Sequence, residues 1–230
     1  MGQITVHHLN NSRSQRVLWL LEELGLDYHI THYQRDSETM LAPPALRRIH
    51  PLGKAPVITD DGITLAETGA IVEYLVETYG GAEAATRLAP APGTPERLRY
   101  TYWLHYAEGS AMPPLLLKLI FDRIEAGGAM PFFVKPIARA IAGKVKSGFI
   151  GPQITLHLDY LEAELEPRSW FAGPDFSAAD IQMSFPLEAA VARGGLDGSR
   201  PRLIDFLARI HARPAYKRAL ERGGSYSLGT

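Results

Sequence analysis

"GKAPVITDDGITLAETGA", residues 53–70, is the stretch on which the fold turns. Within it, "PVIT" and "ITLAE" flank Asp61-Gly62, a dipeptide whose tolerance of positive φ makes it a strong signal for an antiparallel hairpin. "ETGAIVEYLVETYGG" continues as a helix, with Ile71, Val72, Leu75 and Tyr79 supplying its apolar side and two glycines its stop. A hairpin followed by a helix does not explain two details. A proline, Pro56, stands immediately before the first strand, and an acid followed by a hydroxyl, Glu67-Thr68, opens the helix.

Upstream of this stretch, "ITVHHL", Ile4 to Leu9, is rich in β-branched residues and predicts a strand, and "NNSRS" then offers several side chains able to cap a helix. "RVLWLLEELG", Arg16 to Gly25, predicts a helix with Val17, Leu20, Leu21 and Leu24 on one face and glycine at its end. "DYHITHYQ" alternates as a second strand, and residues 35–52 are broken by Pro43, Pro44 and Pro51, with room for a helical turn at Ala45–Ile49. Residues 1–81 therefore read as a βαβ unit, an irregular segment and a ββα unit, an α/β domain with a mixed sheet. "AEAATRLAPAPGTPE" has no period and reads as a linker over 82–94. Residues 95–230 carry only helical patterns and predict an all-helical second domain, with a bend expected at Pro113-Pro114. One helix start there is well formed: Ser177 can cap, Asp180 can reach back, and Phe176 with Ile181 can form a staple.

Composition limits the function. With 24 Lys plus Arg against 25 Asp plus Glu, the net charge of -1 gives no global reason to bind nucleic acid or an anionic membrane, so any charged ligand must be met locally. The absence of cysteine excludes disulfides, thiolate metal sites and a cysteine nucleophile, so any thiol chemistry must use the ligand's sulfur. No glycine-rich phosphate loop, HExxH or paired-carboxylate pattern occurs, and the eight histidines show no metal-ligand spacing beyond His7-His8, so neither metal nor nucleotide is expected. "MGQITVHHLN" lacks the features of a signal peptide, and no apolar run approaches the roughly 20 residues of a membrane span, which predicts a cytoplasmic protein.

Four segments, "NSRSQRVLWLLEE", "HPLGKAPVI", "LAETGAIVEYL" and "FSAADIQMSFPL", in this order and spacing, resemble the soluble glutathione S-transferase family across both domains. "YAEGSAMPPLLL" and "MPFFVKPIARAIAGKV" further resemble a fungal and bacterial branch with a serine-type active site. The resemblance implies a thioredoxin-like first domain, a homodimer, and glutathione as co-substrate with no tightly bound cofactor. It also implies a cis Ala55–Pro56 bond, where propensity alone suggests a trans proline starting a strand. A cis bond turns the N–H and C=O of Ala55 away from the sheet, free to pair with an extended peptide ligand.

Glu67-Thr68 then suits an α-amino acid head, because a helix N-terminus with a hydroxyl favours a carboxylate and an adjacent acid favours an ammonium. The competing reading is that Thr68 only caps its helix. For the ligand's other carboxylate the resemblance selects Lys54, with Arg35 or His50 as substitutes, since the basic pair of related classes falls here on Leu41 and Ala42. The family's serine-type pattern places the activating hydroxyl four residues before an arginine, which selects Ser12 relative to Arg16, with Asn11 and Ser14 as alternatives. Ser12 would donate to the thiolate and not itself attack. Tyr102, Tyr106, Met112 and Phe133 are the candidate walls of the electrophile site, in competition with plain core packing. The same family fold also serves as a non-catalytic binding module and supports peroxidase, isomerase and dehalogenase chemistry.

Overall fold

The computed structural model describes residues 3–37, 39–81, 88–128, 130–224 and 226–228. β1 (Ile4–Leu9), α1 (Ser14–Leu24), β2 (Tyr28–Tyr33), α2 (Pro44–Arg47), β3 (Val57–Asp60), β4 (Ile63–Ala66) and α3 (Thr68–Tyr79) form the first unit. The sheet has the order β2-β1-β3-β4. β1 and β2 run parallel, Ile4 opposite Tyr28 and Leu9 opposite Tyr33, while β3 is antiparallel to both β1 and β4. Asp61 and Gly62 both have positive φ, 42° and 84°, so the hairpin closes as its dipeptide predicts.

From Pro95 onward the described elements are helical: α4 (Pro95–Tyr106), α5 (Met112–Ala126), α6 (Lys135–Val145), α7 (Gly151–Glu164), α8 (Ala178–Ala189), α9 (Pro201–Ala212) and α10 (Pro214–Gly223). A five-residue π-helical turn joins α4 to α5 at Ala107–Ala111 and another joins α6 to α7 at Lys146–Ile150. The irregularity expected at Pro113-Pro114 therefore lies one turn earlier. The wide turn lets both prolines enter α5 near its start, where a missing N–H is tolerated. Of the expected linker, residues 82–87 lie outside the described residues, whereas Leu88 and Ala89 are buried in the core.

One apolar core runs through both units. Val17, Leu20, Ile71 and Leu75 from beneath the sheet join Trp103, Phe171, Ile181 and Phe206 from the helices. α1 is the shared element: Trp19 packs against Phe176 and edge-on against Tyr216, and Glu22 pairs with Arg218 and Arg222 of α10. The start of α8 forms as its sequence indicates, with the Asp180 carboxylate accepting the N–H of Ser177 at 2.8 Å and of Phe171 at 2.9 Å.

Candidate active site

β1 leads into α1 through residues 10–13, where Asn11 takes a left-handed φ of 49° that asparagine tolerates. Ser12 is 3% exposed; its Oγ accepts the N–H of Ser14 at 3.2 Å and lies 2.7 Å from Ser14 Oγ. Ser14 Oγ lies in turn 2.9 Å from His8 Nδ1. Burial, and next the neighbouring His32, push His8 down to about 4 against a hydrogen bond to the Gly223 carbonyl, so the imidazole behind the serines is neutral at physiological pH. The two alternatives to Ser12 are engaged elsewhere. Ser14 is fully buried against His8 and the Leu9 carbonyl, and Asn11 Oδ1 accepts the N–H of Ser227 at 2.8 Å.

Arg16 sits inside an otherwise apolar helix face and is 1% exposed. Its guanidinium donates to the Gln182 carbonyl at 2.7 Å, to Thr68 Oγ1 at 3.2 Å and to the Glu108 carboxylate. Arg13 Nε reaches both oxygens of the same carboxylate at 3.0 and 2.8 Å, and both guanidiniums lie over the Phe185 ring. Burial alone would favour neutral Glu108, but Arg16 and Arg13 hold it below the ordinary carboxylate range. Arg16 entered the sequence argument only as a spacing marker. Its role as a four-way tie between α1, α3, α8 and the π turn, and that of Glu108, carry no local signal.

α3 starts at Thr68, and the residue before it, Glu67, is exposed with a left-handed φ of 69° and makes no side-chain cap. Thr68 is the first residue of the helix, after the cap position, and its hydroxyl oxygen, in a residue 3% exposed, accepts from Arg16. That leaves its proton free to donate. The Ala55–Pro56 bond is cis, and Lys54, exposed, precedes it. Arg35 is half-buried and donates to the carbonyls of Asn10 and Met40. Burial and the nearby charges of Arg13 and Arg123 lower its pKa. His50 buries a ring Nδ1 with no partner among the described residues, and Leu41 is exposed.

The four expected electrophile walls are dispersed. Tyr102 and Tyr106 are one turn apart on α4 and face α7, where Tyr106 meets His157 at 2.5 Å and Tyr102 receives the Tyr160 hydroxyl at 3.1 Å. Glu108, roughly 200° further round the helix, is the residue that meets Arg13 and Arg16. Met112 is a core residue, and Phe133 is 67% exposed against Phe132. The helical domain instead sends other groups toward the 10–13 loop. Arg193 Nη1 holds the Leu228 carbonyl at 2.9 Å next to Ser227, and the Tyr226 hydroxyl donates to Glu188 at 2.6 Å. These contacts span 35 to 216 residues of chain, beyond any periodicity argument.

Known proteins resemble this chain in sequence and in fold. Residues 12–78 match the family model described as glutathione S-transferase, N-terminal domain. The chain is 39% identical to Glutathione S-transferase 3 of Schizosaccharomyces pombe over 81% of its own length and 74% of that protein's. It is 32% identical to Glutathione S-transferase 1 of Saccharomyces cerevisiae over 95% and 94%. A solved glutathione S-transferase from Actinobacillus pleuropneumoniae, 32% identical, superposes over 98% of this chain and 94% of its own with a TM-score of 0.79. With relatives this similar matched over most of both chains, the protein belongs to the glutathione S-transferase family.

Proposed function

We propose that this transferase holds glutathione on residues 1–81 and ionises its sulfur beside Ser12 for addition to a hydrophobic electrophile. The observation that carries the reading is the Ser12 hydroxyl at the start of α1. It accepts the Ser14 N–H, and its own proton, whose nearest acceptor in the described chain is Ser14 Oγ at 2.7 Å, turns to the sulfur anion when one is bound. Lowering a thiol pKa from about 8.5 by about two units needs roughly 2.7 kcal/mol in favour of the anion. A hydrogen bond to a charged acceptor supplies about 1.5–3 kcal/mol and a helix N-terminus about 0.3–1 kcal/mol. The two together suffice. Arg13 shares the single Glu108 carboxylate with Arg16, so the cluster keeps one net positive charge near the start of α1.

Thr68 N–H and hydroxyl receive the carboxylate of the γ-glutamyl head, and Arg16, donating into the hydroxyl oxygen, makes it the stronger donor. Glu67, exposed beside it, receives the ammonium. Ala55, ahead of Pro56, pairs with the cysteinyl backbone, and Lys54 meets the glycine carboxylate, with Arg35 the second cation in reach of the 10–13 loop. The electrophile enters between the 10–13 loop and the helical unit of residues 95–230, on the side of Arg193 and Tyr226. A homodimer in the cytoplasm completes the reading.

Ser12→Ala tests it. Conjugation of an aryl halide falls by about one to three decades, equivalent to about 1.4–4 kcal/mol, of which the lost charged hydrogen bond supplies about 1.5–3 kcal/mol. The thiolate absorbance of bound glutathione near neutral pH disappears, while circular dichroism is unchanged. Full activity in this variant would remove Ser12 from the reaction.

A further inference from the structure

Three arginines converge on the 10–13 loop from separate parts of the chain. Arg13 lies in the loop itself, with its Nε on Glu108. Arg35 follows β2; Asn10 Oδ1 accepts its backbone N–H at 2.8 Å, and its Nε donates to the Asn10 carbonyl at 3.3 Å. Arg193 comes from the helical unit, in a π turn (Ala190–Gly194) that follows α8. Its Nε donates to the Leu115 carbonyl of α5 at 3.3 Å and its Nη1 to the Leu228 carbonyl at 2.9 Å, while the neighbouring Ser227 N–H meets Asn11. Arg193 is thereby held from two sides, next to a residue that touches the loop.

These charges act on one another. Burial, and next the charge of Arg13, lower the pKa of both Arg35 and Arg193, and Arg123 of α5 adds to both. Half-buried guanidiniums that repel one another are stabilised by an anion, and the carboxylates around them are committed. Glu108 is shared by Arg13 and Arg16, Asp122 by Lys118 and Lys146, and Glu188 lies against the Tyr216 and Tyr226 hydroxyls and the His211 ring. Arg193 spends two of its five N–H groups on carbonyls, and the other three have no acceptor among the described residues. Glutathione brings carboxylates of its own, but on the reading above they are met by Thr68 and by Lys54 with Arg35, all within residues 1–81. Arg193 belongs to the helical unit, on the side where the electrophile enters.

We propose, resting on that reading, that the electrophile carries its own carboxylate and that Arg193 is the specificity-determining residue that receives it beside the sulfur. A planar guanidinium with unused N–H groups suits a carboxylate, and the surrounding positive charge steers an anion in.

The test is a matched pair, a chloronitrobenzoate and the corresponding chloronitrobenzamide, which differ in charge but little in size. With each, the thiolate's electron pair forms the carbon–sulfur bond, and chloride leaves with the pair of the bond that breaks. The kcat/KM for each compound, divided by its uncatalysed rate constant with glutathione, gives an acceleration free of the difference in intrinsic reactivity. In the wild type the acceleration is about tenfold greater for the benzoate, within the range of a charged hydrogen bond, and this preference shrinks with added salt. Arg193→Met removes the preference and Arg193→Lys keeps most of it, with the KM for glutathione changing less than the benzoate value. The preference is a ratio within one protein, so a smaller folded fraction leaves it intact. Equal acceleration of the two compounds by the wild type would overturn the inference and leave the transferase reading standing, whereas no acceleration of either would overturn both. A preference that survives Arg193→Met, or a glutathione KM that rises as much as the benzoate value falls, would remove Arg193 from electrophile selection.

Discussion

Two helices of this protein begin in opposite ways. α8 starts closed: the Asp180 carboxylate accepts the N–H groups of Ser177 and Phe171, and Asp180 is itself fully buried. α3 starts open: Glu67 turns away in a left-handed conformation with no side-chain cap, and the Thr68 hydroxyl oxygen accepts a hydrogen bond from Arg16. The first arrangement answers its own backbone groups and serves folding. The second leaves N–H groups and a hydroxyl proton for which no acceptor is found among the described residues. Arg16 joins the two, since the same guanidinium donates to Thr68 and to the carbonyl of Gln182 in α8.

The largest effect should come from removing that link. Arg16→Met keeps the length of the side chain in the apolar helix face but strips Glu108 of one cation and Gln182 of its donor. Breaking one side of a buried ion pair costs about 3–5 kcal/mol, so urea unfolding should show a loss of that order. Glutathione affinity should fall as well, because Thr68 loses the donor that polarises it. A stable variant with weakened glutathione binding would show that Arg16 serves the site alone, and the comparison between the two helix starts would lose its connection.

Single substitutions at the two starts should then separate stability from binding. Asp180→Ala orphans two backbone N–H groups at about 1–3 kcal/mol each, with turnover per folded molecule unchanged. Thr68→Val should do the reverse, raising the KM for glutathione about fivefold to thirtyfold for about 1–2 kcal/mol of lost hydrogen bonding and leaving the melting temperature close to wild type. If Thr68→Val destabilised the protein as much as Asp180→Ala, the open start would be structural.

How much of this is legible in the sequence depends on range. The Asp61-Gly62 hairpin and the Ser177–Asp180 start are decided within a few residues, and both formed as expected. The helical pattern of α4 fixed its existence but not what each face meets. Tyr102 and Tyr106 therefore turned out to face α7, while Glu108 faced the serine loop. Glu108, Arg193 and Tyr226 were invisible because their partners lie on distant segments and their residue types are common on any helix surface. Ser12 is proposed only through its spacing from Arg16 in a family pattern. The local pattern NNSRS offers Asn11 and Ser14 equally, and only tertiary contacts, Ser14 with His8 and Asn11 with Ser227, distinguish their surroundings from those of Ser12.

The smallest effect, and the sharpest in sign, concerns pH. Burial raises Asp180 from 3.8 to about 6 even with its backbone donors in place. The native state therefore holds that proton more tightly than the unfolded chain, so its contribution to stability is complete below about 3.8 and is lost as the pH rises through about 6. Glu108 behaves oppositely. Although burial resists ionisation, Arg16 and Arg13 lower its pKa from 4.5, so its contribution is present above 4.5 and is lost as the pH falls through the lowered value. Urea unfolding of wild type, Asp180→Asn and Glu108→Gln across the acidic range should give stability differences from wild type that slope in opposite directions. The advantage of Asp180 over asparagine shrinks as the pH rises toward neutrality, and that of Glu108 over glutamine shrinks as it falls. Slopes of the same sign would mean that the closed start carries an ionised, paired carboxylate like the one beside Arg16, and the electrostatic distinction between the two regions would fail.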